Sequence, residues 1–355
     1  MAGKIKILYA TDGLGNGGKE RQLIETIKNI DSNKFETGVI VFNSNQYYSD
    51  MVSEISDYYS VYNKDKNVLE PFVSVFEAFE KFKPDIVHTY DLLSSMYTLL
   101  PSKLNKSKII NASIQDSGLD QGWQYKMKRY LLTVSDINIS NSLIGFDYYK
   151  SYGKVLYNFI NPYRFTENNN KSEFNVVMVA NFTDYKDYNS YFNTVKILIG
   201  MDLIDKAYAV GSGKYLEKFE MEIKPDKILC DRVIFTGNIC NIEEFLSDIS
   251  AGFLFSTEKY GEGISNSVLE YMASGVIPIV SDIGASSEII DNGLDGFLVD
   301  KYDSDSVIEL IKKLKNDEGY RNLLIFNAKK KLEKKFSLKK NISKLEEIYL
   351  NLNNN

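Results

Sequence analysis

Two glutamates bracket the start of a short amphipathic stretch in "EKYGEGISNSVLEYMASGVIPIVSD", residues 258–282. Glu262 and Glu270 have seven residues between them. Ser265 or a neighbour suits a helix N-cap, the periodicity predicts a helix over Asn266–Ser274, and Gly275 suits its end. Glu262 then lies in the loop before the helix and Glu270 lies inside it. The amides from Gly263 and Ile264 through Ser265, Asn266 and Ser267 would sit at a helix N-terminus, where a phosphate is favoured. A carboxylate one turn on can accept both hydroxyls of a ribose. Spacing alone leaves a plainer account open, two solvated glutamates beside an ordinary helix.

A second stretch, "DGLGNGGKERQ" (12–22), satisfies G-x-G-x-x-G through Gly13, Gly15 and Gly18. A dinucleotide site also needs an acidic residue at the end of the following strand to hold the ribose diol. That strand ends in Phe42-Asn43-Ser44. It has no carboxylate, so the glycines do not mark an NAD site. A third stretch, Asp303-Ser304-Asp305, is formally D-x-D. It opens a predicted helix over Ser306–Lys315, and N-capping accounts for it better than a metal does. With one histidine, His88, and two distant cysteines, Cys230 and Cys240, no zinc site or disulfide framework is expected.

The elements that must hold these residues follow from short Ile- and Val-rich runs alternating with amphipathic segments. Predicted strands are Lys4–Ala10, Gly38–Asn43, Ser60–Asn63, Asp85–Thr89, Lys108–Ser113, Asp136–Ser140 and Lys154–Tyr157. A polar stretch, Pro162–Glu173, then reads as a linker. A second series follows at Val176–Ala180, Ala207–Val210, Val233–Thr236, Gly252–Phe255, Ile277–Val280 and Gly296–Val299. The expected fold is therefore α/β, two Rossmann-like doubly wound domains, 1–162 and 174–335, facing a central cleft. Residues 336–355 would form a C-terminal helix and tail, returning to the first domain, with "NLNNN" frayed.

The chain has 355 residues and a net charge of −6, which argues against a nucleic-acid binder. No apolar run is long enough to span a bilayer, and no signal peptide is apparent, so a cytoplasmic enzyme is expected.

The stretch Gly261–Val299, "GEGISNSVLEYMASGVIPIVSDIGASSEIIDNGLDGFLV", resembles the donor motif of the family 4 retaining glycosyltransferases, which have the glycosyltransferase B fold. Glu288, Gly293 and Gly296 match the tail of that motif. By this resemblance the first domain binds the acceptor and the second the nucleotide-sugar. Glu262 contacts the donor sugar and Glu270 the nucleotide ribose. "VANFTDYKDY" (179–188) resembles the segment with a basic pair on the donor diphosphate. Lys186 matches the lysine of that pair, while Asn181 stands where the arginine would be. "VGSG", with Gly211, and "IFTGNI" resemble loops that frame the nucleotide. "GGKER", with Gly17 and Gly18, resembles the segment whose backbone approaches the diphosphate.

On the acceptor side, His88 follows a strand end that by the resemblance faces the cleft, and a structural role for this lone histidine is the equal alternative. Gln115, followed by Asp116, stands where the family often has a histidine, so histidine assistance is not available there. The resemblance implies transfer of a hexose-type sugar, UDP-sugar favoured, to a glycan or lipid-linked acceptor in bacterial surface polysaccharide synthesis. No metal or cofactor beyond the nucleotide-sugar substrate is implied. A sugar-nucleotide epimerase of the same fold and a non-catalytic partner subunit are the alternatives. Finally, "WQYKMKRYLL" (123–132) carries Lys126, Lys128 and Arg129 among aromatics. An amphipathic helix is the default there, and peripheral contact with an anionic membrane, at the inner face of the cell membrane, is the functional option.

Overall fold

The computed structural model describes residues 3–43, 47–62, 70–118, 122–166, 168, 171–257 and 260–354. Asn63 of the third predicted strand, residues 167, 169 and 170 of the linker, Glu258, Lys259 and the terminal Asn355 lie outside them. The described chain divides into two units, one of Met1–Asn158 with Leu338–Asn355, the other Phe159–Ser337.

In the first unit the alternation produces β1 (Ile5–Thr11), α1 (Gly18–Asn29), β2 (Phe35–Val41), α2 (Ser49–Ile55), β3 (Tyr58–Val61), α3 (Glu70–Phe82) and β4 (Ile86–Thr89). It continues with α4 (Leu92–Asn105), β5 (Lys108–Ile114), α5 (Trp123–Val134), β6 (Ile137–Ser140), α6 (Leu143–Tyr149) and β7 (Lys154–Val155). The seven strands run parallel in the order β3-β2-β1-β4-β5-β6-β7. The third strand starts two residues earlier than the predicted Ser60, because Tyr58 already pairs with Gly38. Apolar residues cover both faces, as a parallel sheet requires. Ile7, Tyr9, Ile86 and Ile110 belong to one cluster, Leu8, Ala10, Ile40 and Val87 to the other.

The second unit holds β8 (Val176–Val179), α7 (Tyr188–Gly200), β9 (Ala207–Val210), α8 (Leu216–Ile223), β10 (Val233–Gly237), α9 (Ile242–Leu246) and β11 (Ala251–Leu254). Then come α10 (Asn266–Ser274), β12 (Ile277–Ser281), α11 (Ser286–Ile289), β13 (Phe297–Val299), α12 (Ser304–Asn316) and α13 (Glu318–Lys331). Its six parallel strands lie in the order β10-β9-β8-β11-β12-β13. Sheet order reverses direction between β1 and β4 in one unit and between β8 and β11 in the other. Loops leaving those strand ends diverge and leave a crevice.

The last helix, α14 (Leu338–Asn353), belongs to the first unit. It corrects the expectation of a frayed tail, since it stays helical to Asn353 with Leu352 and Tyr349 buried. Apolar burial holds the last turn in place where composition alone suggested disorder. Among the described residues no helix is long and apolar enough to cross a membrane.

Candidate functional site

The second unit builds its site where β8 and β11 end. The segment after β8 and the segment after β11 pair briefly through Lys186 and Ser256. Two further backbone bonds hold them, Asp187 N–H to the Phe255 carbonyl at 2.9 Å and Thr257 N–H to the Tyr185 carbonyl at 2.8 Å. This pairing aims the Lys186 ammonium at Glu262, with Nζ to Oε1 at 2.5 Å. The Ser256 hydroxyl donates to the other carboxylate oxygen at 2.9 Å. Both oxygens of Glu262 are thus engaged, by groups from the two loops that flank the crevice.

The Glu262 backbone is fixed as well, its carbonyl accepting from the Ala285 amide at 2.8 Å. Gly284 has φ +62°, and a Cβ there would collide with the backbone of Glu262. Only glycine combines that backbone conformation with so close an approach. On the other flank, Gly211 (φ +140°) lets the loop after β9 lie against the Ala180 carbonyl, beside exposed Asn181.

Beneath the Lys186–Glu262 pair lies a lysine that sequence reasoning passed over. Lys301, 4% exposed in its side chain, donates to the Ser256 carbonyl at 2.7 Å and pairs with Asp187 at 2.8 Å. Burial pushes the Asp187 carboxyl up, but hydrogen bonds from Lys301 and Ser190 more than offset this and hold it below the usual aspartate range. Lys301 therefore stitches together the two loops that carry Lys186 and Ser256. Its only sequence signal was position, two residues past the predicted strand end at Val299.

Ser265 stands at the N-cap of α10, and its hydroxyl makes no capping bond. Ser267 instead donates to the Val179 carbonyl at 2.8 Å, tying the helix's first turn to the end of β8. Tyr271, another residue missed from sequence, accepts from the Val179 amide at 2.7 Å and donates to the Phe253 carbonyl at 3.2 Å. It spans the switch point from below. Glu270 beside it is 3% exposed, so it is a buried carboxylate and not the solvated one that the plainer account supposed. Gly275 ends the helix in a left-handed conformation, φ +70°. Asp303 caps α12 by accepting from the Ser306 amide at 3.1 Å.

The first unit has its own crevice, between β1 and β4. Gly17 and Gly18 open α1, and the Glu20 carboxylate folds back over Gly17. Lys19 pairs with Asp12 and, at 3.3 Å, with Asp91. Asp91 also accepts from the Asp12 amide at 2.7 Å and caps α4. Burial works against the Lys19 charge, yet Asp91 and Asp12 raise its pKa above the ordinary value. Burial likewise raises the Glu20 carboxyl, against the pull of Lys19. The glycine loop is thus crowded by three carboxylates around one cation.

Other residues singled out in the first unit point inward. His88 is buried, its Nδ1 2.7 Å from the Tyr349 hydroxyl and its ring stacked on Tyr90 at 4.7 Å. Burial lowers its pKa to about 3, so the imidazole is neutral. The expectation of a cleft-facing His88 is corrected to the structural role, because Tyr349 of α14 packs over it. Gln115 bonds the Ala112 carbonyl and accepts from Asn141. Asp116 accepts from the Tyr149 hydroxyl at 2.7 Å and pairs with Lys128 at 3.6 Å. Lys128 is itself buried, so the expected trio of cations on one outward helix face is corrected to Lys126 and Arg129. Burial pulls the Lys128 ammonium below its ordinary value, against the attraction of Asp116.

Comparison with known proteins adds to this geometry. A family model described as glycosyl transferases group 1 matches residues 159–331. The chain is 25% identical over 184 residues to the UDP-Gal:alpha-D-GlcNAc-diphosphoundecaprenol alpha-1,3-galactosyltransferase of Escherichia coli. That match covers 51% of this chain and 46% of the relative, so the chain spans about half of its length. A second relative is the GalNAc-alpha-(1->4)-GalNAc-alpha-(1->3)-diNAcBac-PP-undecaprenol alpha-1,4-N-acetyl-D-galactosaminyltransferase of Campylobacter jejuni. It is 24% identical over 352 residues, covering 92% of this chain and 93% of the relative.

Among solved structures, Anabaena HepE in complex with UDP and glucose superposes with a TM-score of 0.85 at 15% identity, covering 97% of this chain and 99% of that one. Sucrose-phosphate synthase from Thermosynechococcus elongatus gives 0.80 at 16% identity, covering 98% and 99%. At such identities the likeness shows the fold, the glycosyltransferase B type.

Proposed function

The chain belongs to the group 1, family 4 glycosyltransferases, and from that premise we propose that it moves a hexose-type sugar from a UDP-sugar to a lipid-linked or glycan acceptor. The observation that carries this reading is the Lys186–Glu262 pair, clamped by Ser256 at the β8/β11 switch point beside α10. In the resting protein the two charges satisfy each other. A bound donor would divide them, its diphosphate taking Lys186 and its sugar hydroxyls taking Glu262. Glu270, one turn into α10, would hold the ribose diol.

Positive charge beside the leaving diphosphate stabilises the transition state, where negative charge builds on the departing oxygen. The bond from the anomeric carbon to the diphosphate breaks as the acceptor oxygen bonds to that carbon from the same face. The acceptor's proton passes to a phosphate oxygen. Support for UDP comes from the Escherichia coli relative, named for UDP-Gal, and from the HepE complex with UDP. Support for a lipid-linked acceptor comes from both relatives, whose names include an undecaprenol-linked substrate. Synthesis of a bacterial surface polysaccharide, at the inner face of the cell membrane, fits this reading.

Incubating the full chain with UDP-, GDP- and ADP-sugars tests it, with slow donor hydrolysis in the UDP series as the expected result. Activity should persist in excess EDTA, since Lys186 and the start of α10 meet the phosphate charge. Loss of activity that magnesium reverses would overturn the leaving-group assignment.

A further inference from the structure

The first unit exposes a broad apolar face that neither the donor site nor the fold accounts for. On α3 it consists of Phe72, Val73 and Phe76, on α4 of Leu100 and Leu104, and on α5 of Trp123 and Tyr130. These seven side chains are between 37% and 67% exposed. α3 packs against α4 and α4 against α5, so the three helices are neighbours. Phe72 meets Tyr97 of α4 edge-on at 4.8 Å, and Lys103 of α4 donates to the carbonyl of Val134 at the end of α5 at 3.0 Å.

Helical spacing gathers the residues. Phe72 and Phe76 are one turn apart, as are Leu100 and Leu104, and each pair lies on one side of its helix. Exposed apolar surface on this scale marks an interaction site. Its border has the chemistry of a lipid–water boundary, with Trp123 and Tyr130 as amphipathic rings and Lys126 and Arg129 exposed beside them. The acids on α3 are Glu70 at its first position, Glu77, paired with Lys81 at 3.9 Å, and Glu80. In a chain of net charge −6, the exposed cations of α5 offer a local attraction that the molecule as a whole lacks.

We infer that the α3–α4–α5 face of the first unit docks on an anionic lipid surface, with the α3–α4 ridge supplying the apolar contact and α5 the cations. The purpose rests on the reading of a lipid-linked acceptor, but the docking itself is tested without it. Trp123 is the only tryptophan in the chain, so its fluorescence reports on this face alone.

The full chain is titrated with vesicles of phosphatidylcholine, with and without 30% phosphatidylglycerol. The expected result is a blue shift of Trp123 emission with the anionic vesicles, reduced by salt. Leu100→Gln with Leu104→Gln should weaken vesicle binding by on the order of tenfold or more, since burial of aliphatic groups drives such binding. Leu323→Gln with Phe326→Gln, an exposed pair on α13, should leave it unchanged. Both double variants should keep wild-type melting and UDP-sugar hydrolysis. Binding without a Trp123 shift, or binding lost only in the α13 variant, would place the lipid surface elsewhere and overturn the proposal. So would absence of vesicle binding, including a chain that dimerises through this face instead. Failed hydrolysis with intact vesicle binding would instead count against the donor reading.

Discussion

The two switch-point corners use the same device with different outcomes. In the first unit Lys19 joins the loop after β1, through Asp12, to the loop after β4, through Asp91. In the second, Lys301 joins the loop after β8, through Asp187, to the loop after β11, through the Ser256 carbonyl. The requirement is physical in both. Adjacent strands stop, their loops turn opposite ways, and pairing continues at most as a brief bridge, as at Lys186 and Ser256. A long cation can span the gap and satisfy both sides.

In the first unit that lysine is surrounded by Asp12, Asp91 and Glu20. In the second the stitching lysine lies underneath, and a further cation, Lys186, remains on top against Glu262. A glycine-rich corner is therefore not a phosphate site by topology alone. The phosphate site proposed for the second unit rests on its second layer of charge.

The largest expected effect comes from cutting the stitch in the second unit. Lys301→Met leaves Asp187 charged and without its cationic partner, and should cost about 3–5 kcal/mol of stability, read from denaturant midpoints. Adding Asp187→Asn should recover most of it, and no recovery would mean that the pair is not the unit of stability. The Asp187 carboxyl is held below its unfolded value, so this contribution is present above the ordinary aspartate pKa. It is lost as pH falls through the folded value.

Next is Lys186→Ala, which should lower turnover of the donor by about 10²–10³-fold, as loss of a transition-state charge partner does, while melting stays near wild type. Undiminished turnover would mean that the second layer of charge takes no part in the reaction. Glu270→Gln should weaken nucleotide binding by about 1–3 kcal/mol in calorimetry, the range for a lost hydrogen bond to a charged group. Equal affinity in a folded variant would show that the carboxylate is only a packing element of α10.

The smallest effect belongs to the first unit. His88 is neutral when folded, with a pKa near 3, and titrates normally when unfolded, so protons bind the unfolded chain preferentially between those values. Stability should fall by about 1 kcal/mol between pH 7 and pH 5.5, and His88→Gln should flatten that slope. A slope that survives the substitution would point to other groups.

Much of this architecture was legible because its signals are local. Val and Ile runs spaced by amphipathic segments gave both sheets. The Ser265 to Gly275 punctuation gave α10 to the residue, although only the Gly275 end is realised as a local cap and the Ser265 hydroxyl makes no capping bond. Lys186 and Glu262 were legible through motif resemblance, although nothing in spacing says that a lysine 76 positions away meets that carboxylate. Lys301 and Tyr271 were not legible, because each acts through partners far away in sequence. Lys128 misled for the opposite reason. Its neighbours on the helix predict an outward cation, and Asp116 with Tyr149 draw it inward.

By itself, then, the sequence determined the alternation of strands and helices, the helix stops and the residue types available at each strand end. Those depend on backbone conformation and periodicity, which act over a few residues. Only the tertiary structure decided which carboxylates are paired, which cations face solvent and that the one histidine is neutral. Burial and charge pairing are set by groups brought together from distant segments, and their energies exceed any local preference of the side chain.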